Sequence, residues 1–270
     1  LYGSHQVIIS SKFSQNKLQP RYFLHLAYNG KNYHGWQFQL NTPLTVQQIL
    51  QEKLSLLFHE KITLIGCGRT DTGVHAKEYY AHFDSAKEDI ISNKQQWLFK
   101  MNHCIPKDIA LMNILPVQNN ANARFSATAR TYKYYIHQVP NPFTNDFSAY
   151  IYGDIDINLM NQAAEMVKKT KDFTSFTKVN NSHANHICDI MECYWVRDDE
   201  NIIFTVKANR FLRNMVRALV GTMLAVGTKK ITLKDFETII LSKDRSNAGK
   251  SITGKGLHLV AIDYPSSIFI

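Results

Sequence analysis

Apolar residues recur along the chain in two rhythms: short β-branched or aromatic runs, and longer stretches with helical spacing. The runs Tyr22 to Tyr28, Ile62 to Cys67 and His75 to Phe83 predict strands. Between the first two, Thr45 and Gln48 form a capping-box pattern, and Val46, Ile49, Leu50 and Leu57 fall on one helical face. A second helix is expected over Lys94 to Asn102 and a further strand over Ile109 to Leu115. The first half therefore reads strand, helix, strand, strand, helix, strand.

The stretch Gln118-Asn119-Asn120-Ala121-Asn122 is polar and without period, which predicts a domain junction. Beyond it come a strand, Tyr132 to Val139, and a helix, Leu159 to Lys169. A hairpin follows, Ile187 to Val196 with Ile202 to Ala208, turned by Asp198-Asp199-Glu200-Asn201. The clearest helical pattern runs from Phe211 to Val226, where Leu212, Met215, Val216, Leu219, Val220 and Met223 share one stripe. A short helix capped by Thr232 and reaching Leu241, then a strand Leu257 to Tyr264, complete the order. This alternation predicts an α+β fold in two mixed lobes, with antiparallel or mixed sheets flanked by helices. The lobes are expected at residues 21–118 and 119–270. Residues 1–20, which include Gly3-Ser4-His5, read as an expression remnant and poorly ordered polar leader.

With 44% hydrophobic and 20% charged residues the chain reads as soluble and globular. No apolar run is long enough to span a membrane, and a cytoplasmic address is the expectation. Thirty-one Lys and Arg against 22 Asp and Glu give a formal charge of +9, which favours polyanionic partners. Cys67, Cys104, Cys188 and Cys193 lack the paired spacing of a zinc site or redox dithiol, and all four are expected as buried thiols. His183 and His186, or His75 and His82, have no carboxylate or cysteine set to complete a metal site, so no metal is expected. His75 reads as a loop brace.

The most informative stretch is Gly68-Arg69-Thr70-Asp71-Thr72-Gly73-Val74-His75-Ala76. It places one carboxylate, with an arginine two positions before it, in a glycine-bounded turn between apolar runs, where reactive side chains tend to be displayed. Taken alone, it would read rather as an Asx turn joining two strands. Other blocks follow in register: Ala27-Tyr28-Asn29-Gly30, Tyr33-His34-Gly35-Trp36-Gln37, Thr45-Val46-Gln47-Gln48, Phe125-Ser126-Ala127 with Arg130-Thr131-Tyr132, and Asp172-Phe173-Thr174-Ser175-Phe176. Phe211-Leu212-Arg213-Asn214-Met215-Val216-Arg217 with Gly221, and Gly256-Leu257 before Leu259-Val260-Ala261, come last. In order and spacing these resemble the TruA family of tRNA pseudouridine synthases from Arg21 to Pro265. Phe38, Thr72 and Lys250-Ser251-Ile252-Thr253 depart from the family pattern.

The resemblance implies the two-lobed pseudouridine synthase fold, an active cleft between the lobes, and a homodimer that cradles tRNA. It implies isomerisation of uridine to pseudouridine in the anticodon stem and loop, at positions thirty-eight to forty, without a cofactor. Asp71 is the implied catalytic carboxylate, acting at C1′ or on the C2′ proton of the ribose. A desolvated carboxylate needs a cation to stay charged, and the family pattern supplies Arg217. Tyr132 is implied to pack against the base and is the candidate for taking the C5 proton. Arg69 is the implied wedge in the space left by the flipped base. The loop Asn29 to Gln39 offers Lys31, Tyr33, His34 and Trp36 to RNA, with Trp36 reading equally as a buried anchor. Arg130, Arg210 and Arg213 are further expected RNA contacts, the last two on the helical stripe of Arg217, with Arg213 reading equally as part of a solvated helix face. Asp244 to Lys250 reads as cleft rim; its Gly-Lys-Ser lacks the upstream glycine and strand of a phosphate loop. A non-catalytic RNA-binding module is the alternative of another class. A metal-dependent nuclease would need carboxylates clustered near Asp71.

Overall fold

The strand that leaves the Asp71 turn, β3 (His75–Asp84), is where the two halves of the chain meet. On one side it pairs antiparallel with β1 (Arg21–Tyr28), which pairs antiparallel with β4 (Ile109–Val117). On the other it pairs parallel with β9 (Leu257–Asp263), the last strand of the chain. From β9 the sheet continues antiparallel through β5 (Ala129–His137) and β8 (Asn201–Ala208) to β7 (Ile190–Asp198). The short strands β2 (Ile65–Gly66) and β6 (Ala149–Tyr150) pair with β3 and β5. The computed structural model describes residues 19–178, 185–199 and 201–270. Most of the expected leader, His183 and the hairpin residue Glu200 lie outside the described residues.

The mixed α+β fold read from the sequence is present, and its strands form one continuous sheet through β9. The link is narrow: β3 and β9 are paired only at His75 with His258 and Ala76 with Leu259. A cleft opens beside this short ladder, lined by Val74, Leu257 and Leu259.

Among the described residues five α-helices flank the sheet. In α1 (Val46–Phe58), Val46, Leu50, Leu54 and Phe58 recur every four residues and are buried. Thr45 caps it by accepting from Gln48 N–H at 3.4 Å, while the Gln48 amide donates to Glu52 at 2.9 Å, so only half of the expected capping box forms. The reciprocal box is at Thr232 and Asp235, opening the helix Leu233–Ser242. Helix α2 (Lys94–Cys104) packs on β4. Helix α3 (Ile157–Lys169) buries Met160, Ala163, Ala164 and Val167 against β7 and α4 (Met215–Gly227).

Three expectations are corrected. The helix foreseen from Phe211 begins at Met215, because Asn214 sits at φ 65° and breaks the helical path. The strand foreseen over Ile62 to Cys67 shrinks to two residues. Ser55 and Gln51 side chains of α1 accept the Ile62 and Leu64 N–H groups at 2.9 Å, and Gln47 donates to the Leu64 carbonyl at 2.8 Å, replacing a ladder. Of the four cysteines, Cys104 is exposed at the end of α2, whereas Cys67, Cys188 and Cys193 are buried.

Candidate active site

Between β2 and β3 the main chain of the Asp71 turn is held at almost every step. Tyr79 Oη donates to the Gly68 carbonyl at 2.5 Å, Trp36 N–H to the Thr70 carbonyl at 3.3 Å, and Gly73 N–H to the Tyr33 carbonyl at 3.2 Å. Thr70 Oγ1 meets Tyr28 Oη at 2.8 Å in the interior. Val74 N–H closes a β-turn on the Asp71 carbonyl at 3.2 Å, with Gly73 at φ 74° in the third position, where side chains are disfavoured. Gly35, at φ 88°, lets the supporting loop approach so closely that a Cβ there would lie 2.2 Å from the Thr70 carbonyl oxygen. Gly68 has neither a positive φ nor a crowded Cβ position, so Gly73 sets the turn.

The bracing explains why two residues expected to touch RNA do not face the cleft. Trp36 is 2% exposed and stacks on Tyr79 at 4.1 Å, and Tyr33 is 4% exposed with its hydroxyl donating to Asp108. Lys31 pairs with Asp146 at 2.8 Å away from the cleft lining. Of that loop's four expected contacts only His34 lines the cleft, together with Gln37, Phe38 and Gln39, which sequence reasoning had not singled out for contact. His75 is buried beneath: Nδ1 accepts from Gly30 N–H and Nε2 faces the Asp146 and Lys255 carbonyls, all at 3.1 Å. Those partners select the neutral Nε2–H tautomer, and burial lowers its pKa in the same sense.

Arg217 is the single charged residue of α4, a helix buried almost all round. A cation in that setting needs a partner, and Arg217 Nη1 donates to Asp71 Oδ2 at 3.3 Å. Its Nε donates to the Ile252 carbonyl at 2.7 Å, and Ile252 N–H returns a bond to the Arg217 carbonyl at 3.2 Å. The divergent segment Lys250 to Thr253 is thus a clamp on Arg217. Ser251 Oγ accepts from Asn214 Nδ2 at 2.5 Å and from Arg245 Nη2 at 2.9 Å. Residues 244–250, expected at the cleft rim, do not line it; Arg245 supports the clamp.

Tyr132, on β5, lines the cleft at 9% exposure, with its ring edge-on to Phe211 at 5.2 Å. Burial, reinforced by Cys67 and the Asp71 carboxylate, pushes its hydroxyl pKa up against the opposing pull of Arg130. It therefore meets a substrate as a neutral phenol.

The cleft measures about 1360 Å³ and is lined by Arg69, Arg124, Arg130, Lys178, Arg210, Arg213 and Arg217. Among the described residues Asp71 is the one acidic group in that lining. Arg69, Arg210 and Arg213 are exposed, the latter two in the non-helical segment before Asn214 rather than on the stripe of Arg217. Arg130, expected as an RNA contact, lines the cleft and also serves as a strut. Its Nη1 donates to the Ala127 and Asn209 carbonyls at 3.0 and 2.9 Å, and its Nη2 to Cys67 at 3.0 Å and to Arg124. Arg124, Phe125 and Lys178 were not foreseen as lining; Phe125 stood in a matching block, where its exposure left no trace in the local pattern. Among the described residues no three His, Cys, Asp or Glu side chains gather as metal ligands.

Residues 163–265 match a family model described as tRNA pseudouridine synthase. The chain is 43% identical over 249 residues to a tRNA pseudouridine synthase A of Parabacteroides distasonis, covering 92% of this chain and 98% of that protein. It is 44% identical over 252 residues to the protein of the same name from Bacteroides thetaiotaomicron, covering 92% of each. With the Clostridium acetobutylicum counterpart it shares 37% identity over 243 residues, 89% of this chain and 98% of the other. The Asp71 turn, the Arg217 helix and their cation-lined cleft are the setting in which that similarity acts, and the chain belongs to the tRNA pseudouridine synthase A family.

Proposed function

We propose that the cleft isomerises uridine to pseudouridine in tRNA, that Asp71 begins the reaction, and that the targets are uridines thirty-eight to forty of the anticodon stem and loop. Enzymes of this family are isomerases that convert uridine to pseudouridine. The observation that carries the assignment is the Asp71–Arg217 pair, a carboxylate held by a clamped guanidinium in a cleft whose other charged residues, among those described, are cations. A stacked uridine is out of reach, so the base must be extruded, and Arg69, which lines the cleft, fills its space in this reading. Asp71 then either bonds to C1′ or removes the C2′ proton, and the N1–C1′ bond breaks. The uracil turns against Tyr132 and C5 bonds to C1′, displacing Asp71 from C1′ on the first route or with the proton returned to C2′ on the second. N1 then takes up a proton and the C5 proton leaves. A neutral Tyr132 hydroxyl can accept that proton only by passing its own onward. Atoms balance without a cofactor or co-substrate.

The choice of positions rests on the resemblance carried by Gly68 to Ala76. The same resemblance supports a homodimer and a cytoplasmic site of action, both part of this proposal. A purely RNA-binding role would not require the Asp71 carboxylate to be held by Arg217. Two-metal hydrolysis would need further carboxylates beside Asp71. The test is tRNA tritiated at uridine C5: the protein should release tritium to water, and Asp71→Asn should stop release while binding RNA. Full release by that variant would overturn the assignment.

A further inference from the structure

Phe125 is an apolar side chain displayed where folding gains nothing from it. It is 77% exposed, yet it lines the same cleft as Asp71 and Tyr132. Other strongly exposed aromatics, Phe99, Phe143 and Tyr152, lie outside that lining. The guanidinium of Arg124 lies over the Phe125 ring, 5.3 Å from its centre, so an apolar ring and a cation are presented together.

The backbone beneath the pair is fixed rather than loose. Asn122 Oδ1 accepts from Arg124 N–H at 2.9 Å and Phe125 N–H at 3.2 Å. Ser126 Oγ accepts from Asn122 N–H at 2.9 Å, and Ser126 N–H donates to the Asn122 carbonyl at 2.8 Å. Ala123 is held on both sides, its N–H by His82 Nδ1 at 3.1 Å and its carbonyl by Tyr264 Oη at 2.5 Å. Arg130 grips the Arg124 carbonyl through the same Nη2 that holds the Cys67 carbonyl at the start of the catalytic turn. The turn carrying Phe125 is therefore registered against the turn carrying Asp71. A rigid pedestal lowers the ordering cost of binding.

We propose that Arg124 and Phe125 form a stacking platform for an unpaired RNA base flanking the extruded uridine, with Arg124 neutralising the adjoining phosphate. This rests on the reading of the cleft as an RNA site. The cationic lining favours a polyanion over a protein partner, and every nucleobase offers a π-face to an exposed ring. The platform lies at the surface, whereas Tyr132 is almost closed off, so the two rings serve different nucleotides.

The test uses binding of an anticodon-arm RNA hairpin with loop residues unpaired, measured against salt, beside tritium release. Phe125→Ala should weaken binding about ten- to a hundredfold, the range of one base–aromatic stack. Phe125→Tyr should bind like the unaltered protein and Phe125→Leu like the alanine variant, because stacking needs a ring and not just apolar volume. The slope of log Kd against log salt should stay constant in all three but fall by about one in Arg124→Ala. Melting temperatures should be unchanged, since the ring is not part of the core. Wild-type affinity in Phe125→Ala, or full affinity in Phe125→Leu, would overturn the platform. If the unaltered protein releases no tritium from tRNA, the enzymatic reading fails; release with undiminished Phe125→Ala binding removes the platform alone.

Discussion

Arg217 reaches Asp71 across 146 positions of sequence, and the same guanidinium is fixed from behind by the Ile252 carbonyl. The fork has two directions to satisfy: Nη1 toward the carboxylate and Nε toward the main chain. A lysine ammonium keeps the charge but is a point donor on a flexible stem. Arg217→Lys should therefore leave tRNA affinity in place and lower kcat/KM on the order of a hundredfold, the scale of a misplacement near 1 Å. Single-turnover tritium release with parallel filter binding checks this, and a wild-type rate would show that charge alone suffices.

Gly221 extends the clamp one turn along the same face of α4 as Arg217. A Cβ at this position would lie 2.0 Å from the Lys250 carbonyl oxygen, a backbone atom that must move away. Because Ile252 bonds back to Arg217, displacing Lys250 should tilt the guanidinium off Asp71. Gly221→Ala should cost about 1–3 kcal/mol of stability, the usual scale of overpacking, and should reduce kcat more than it changes KM. Thermal melts and steady-state rates read the two effects. An alanine variant with unaltered kcat would uncouple the loop from the site.

The strands and helices were legible wherever one residue pattern met one environment. Val46 and Leu50 bury the face their spacing foretold, with Ile49 and Leu57 half-buried beside them, and Met215, Val216, Leu219, Val220 and Met223 bury theirs. Asp71, Arg217 and Tyr132 were legible through motif context, and the fold brings all three to one cleft. What stayed hidden depended on partners remote in sequence. Trp36 shares its composition with RNA-binding loops, and only Tyr79 stacking from β3 reveals a brace. Arg130 looks like any strand arginine until carbonyls from Cys67 and Asn209 converge on it. Nor could periodicity reveal the left-handed Asn214, which delays the start of the helix until after the two exposed arginines.

Those different environments give Trp36 and the cleft arginines separable signatures. Trp36 is buried at 2% exposure, so Trp36→Ala should destabilise the fold by about 3–5 kcal/mol as a core truncation. Trp36→Phe, milder, should lower the melting temperature and leave the salt slope of tRNA binding untouched. Arg69→Ala, Arg210→Ala and Arg213→Ala should each reduce that slope by about one with little loss of stability, as exposed phosphate contacts do. Lys31→Ala, removing a partner of Asp146 outside the cleft, should leave the slope alone. Denaturant titration and binding at several salt concentrations separate the classes, and a reduced slope in Trp36→Phe would restore it as an RNA contact.

Acid should unfold the protein through histidines that the fold keeps neutral. Burial pushes His82 from 6.5 to about 4, with Arg21 acting in the same direction and Asp84 against it, while Nδ1 accepts from Ala123 N–H. Burial likewise takes His258 to about 4, aided by His75 and Lys77 and opposed by the Phe147 carbonyl that Nε2–H bonds at 2.8 Å. Between pH 4 and 6.5 the unfolded chain binds protons at these positions that the folded chain refuses. Their contribution to stability is thus complete above pH 6.5, erodes as pH falls through this window, and is gone below the folded values. Each unit of displacement corresponds to about 1.4 kcal/mol, so the two together have an effect on the order of a few kcal/mol. Melting temperature should decline steadily from pH 6.5 to 4, and His82→Gln should flatten the decline. Imidazole NMR gives the direct reading: midpoints near 4 for both rings support the linkage, whereas midpoints at the ordinary 6.5 would remove histidine from the acid response.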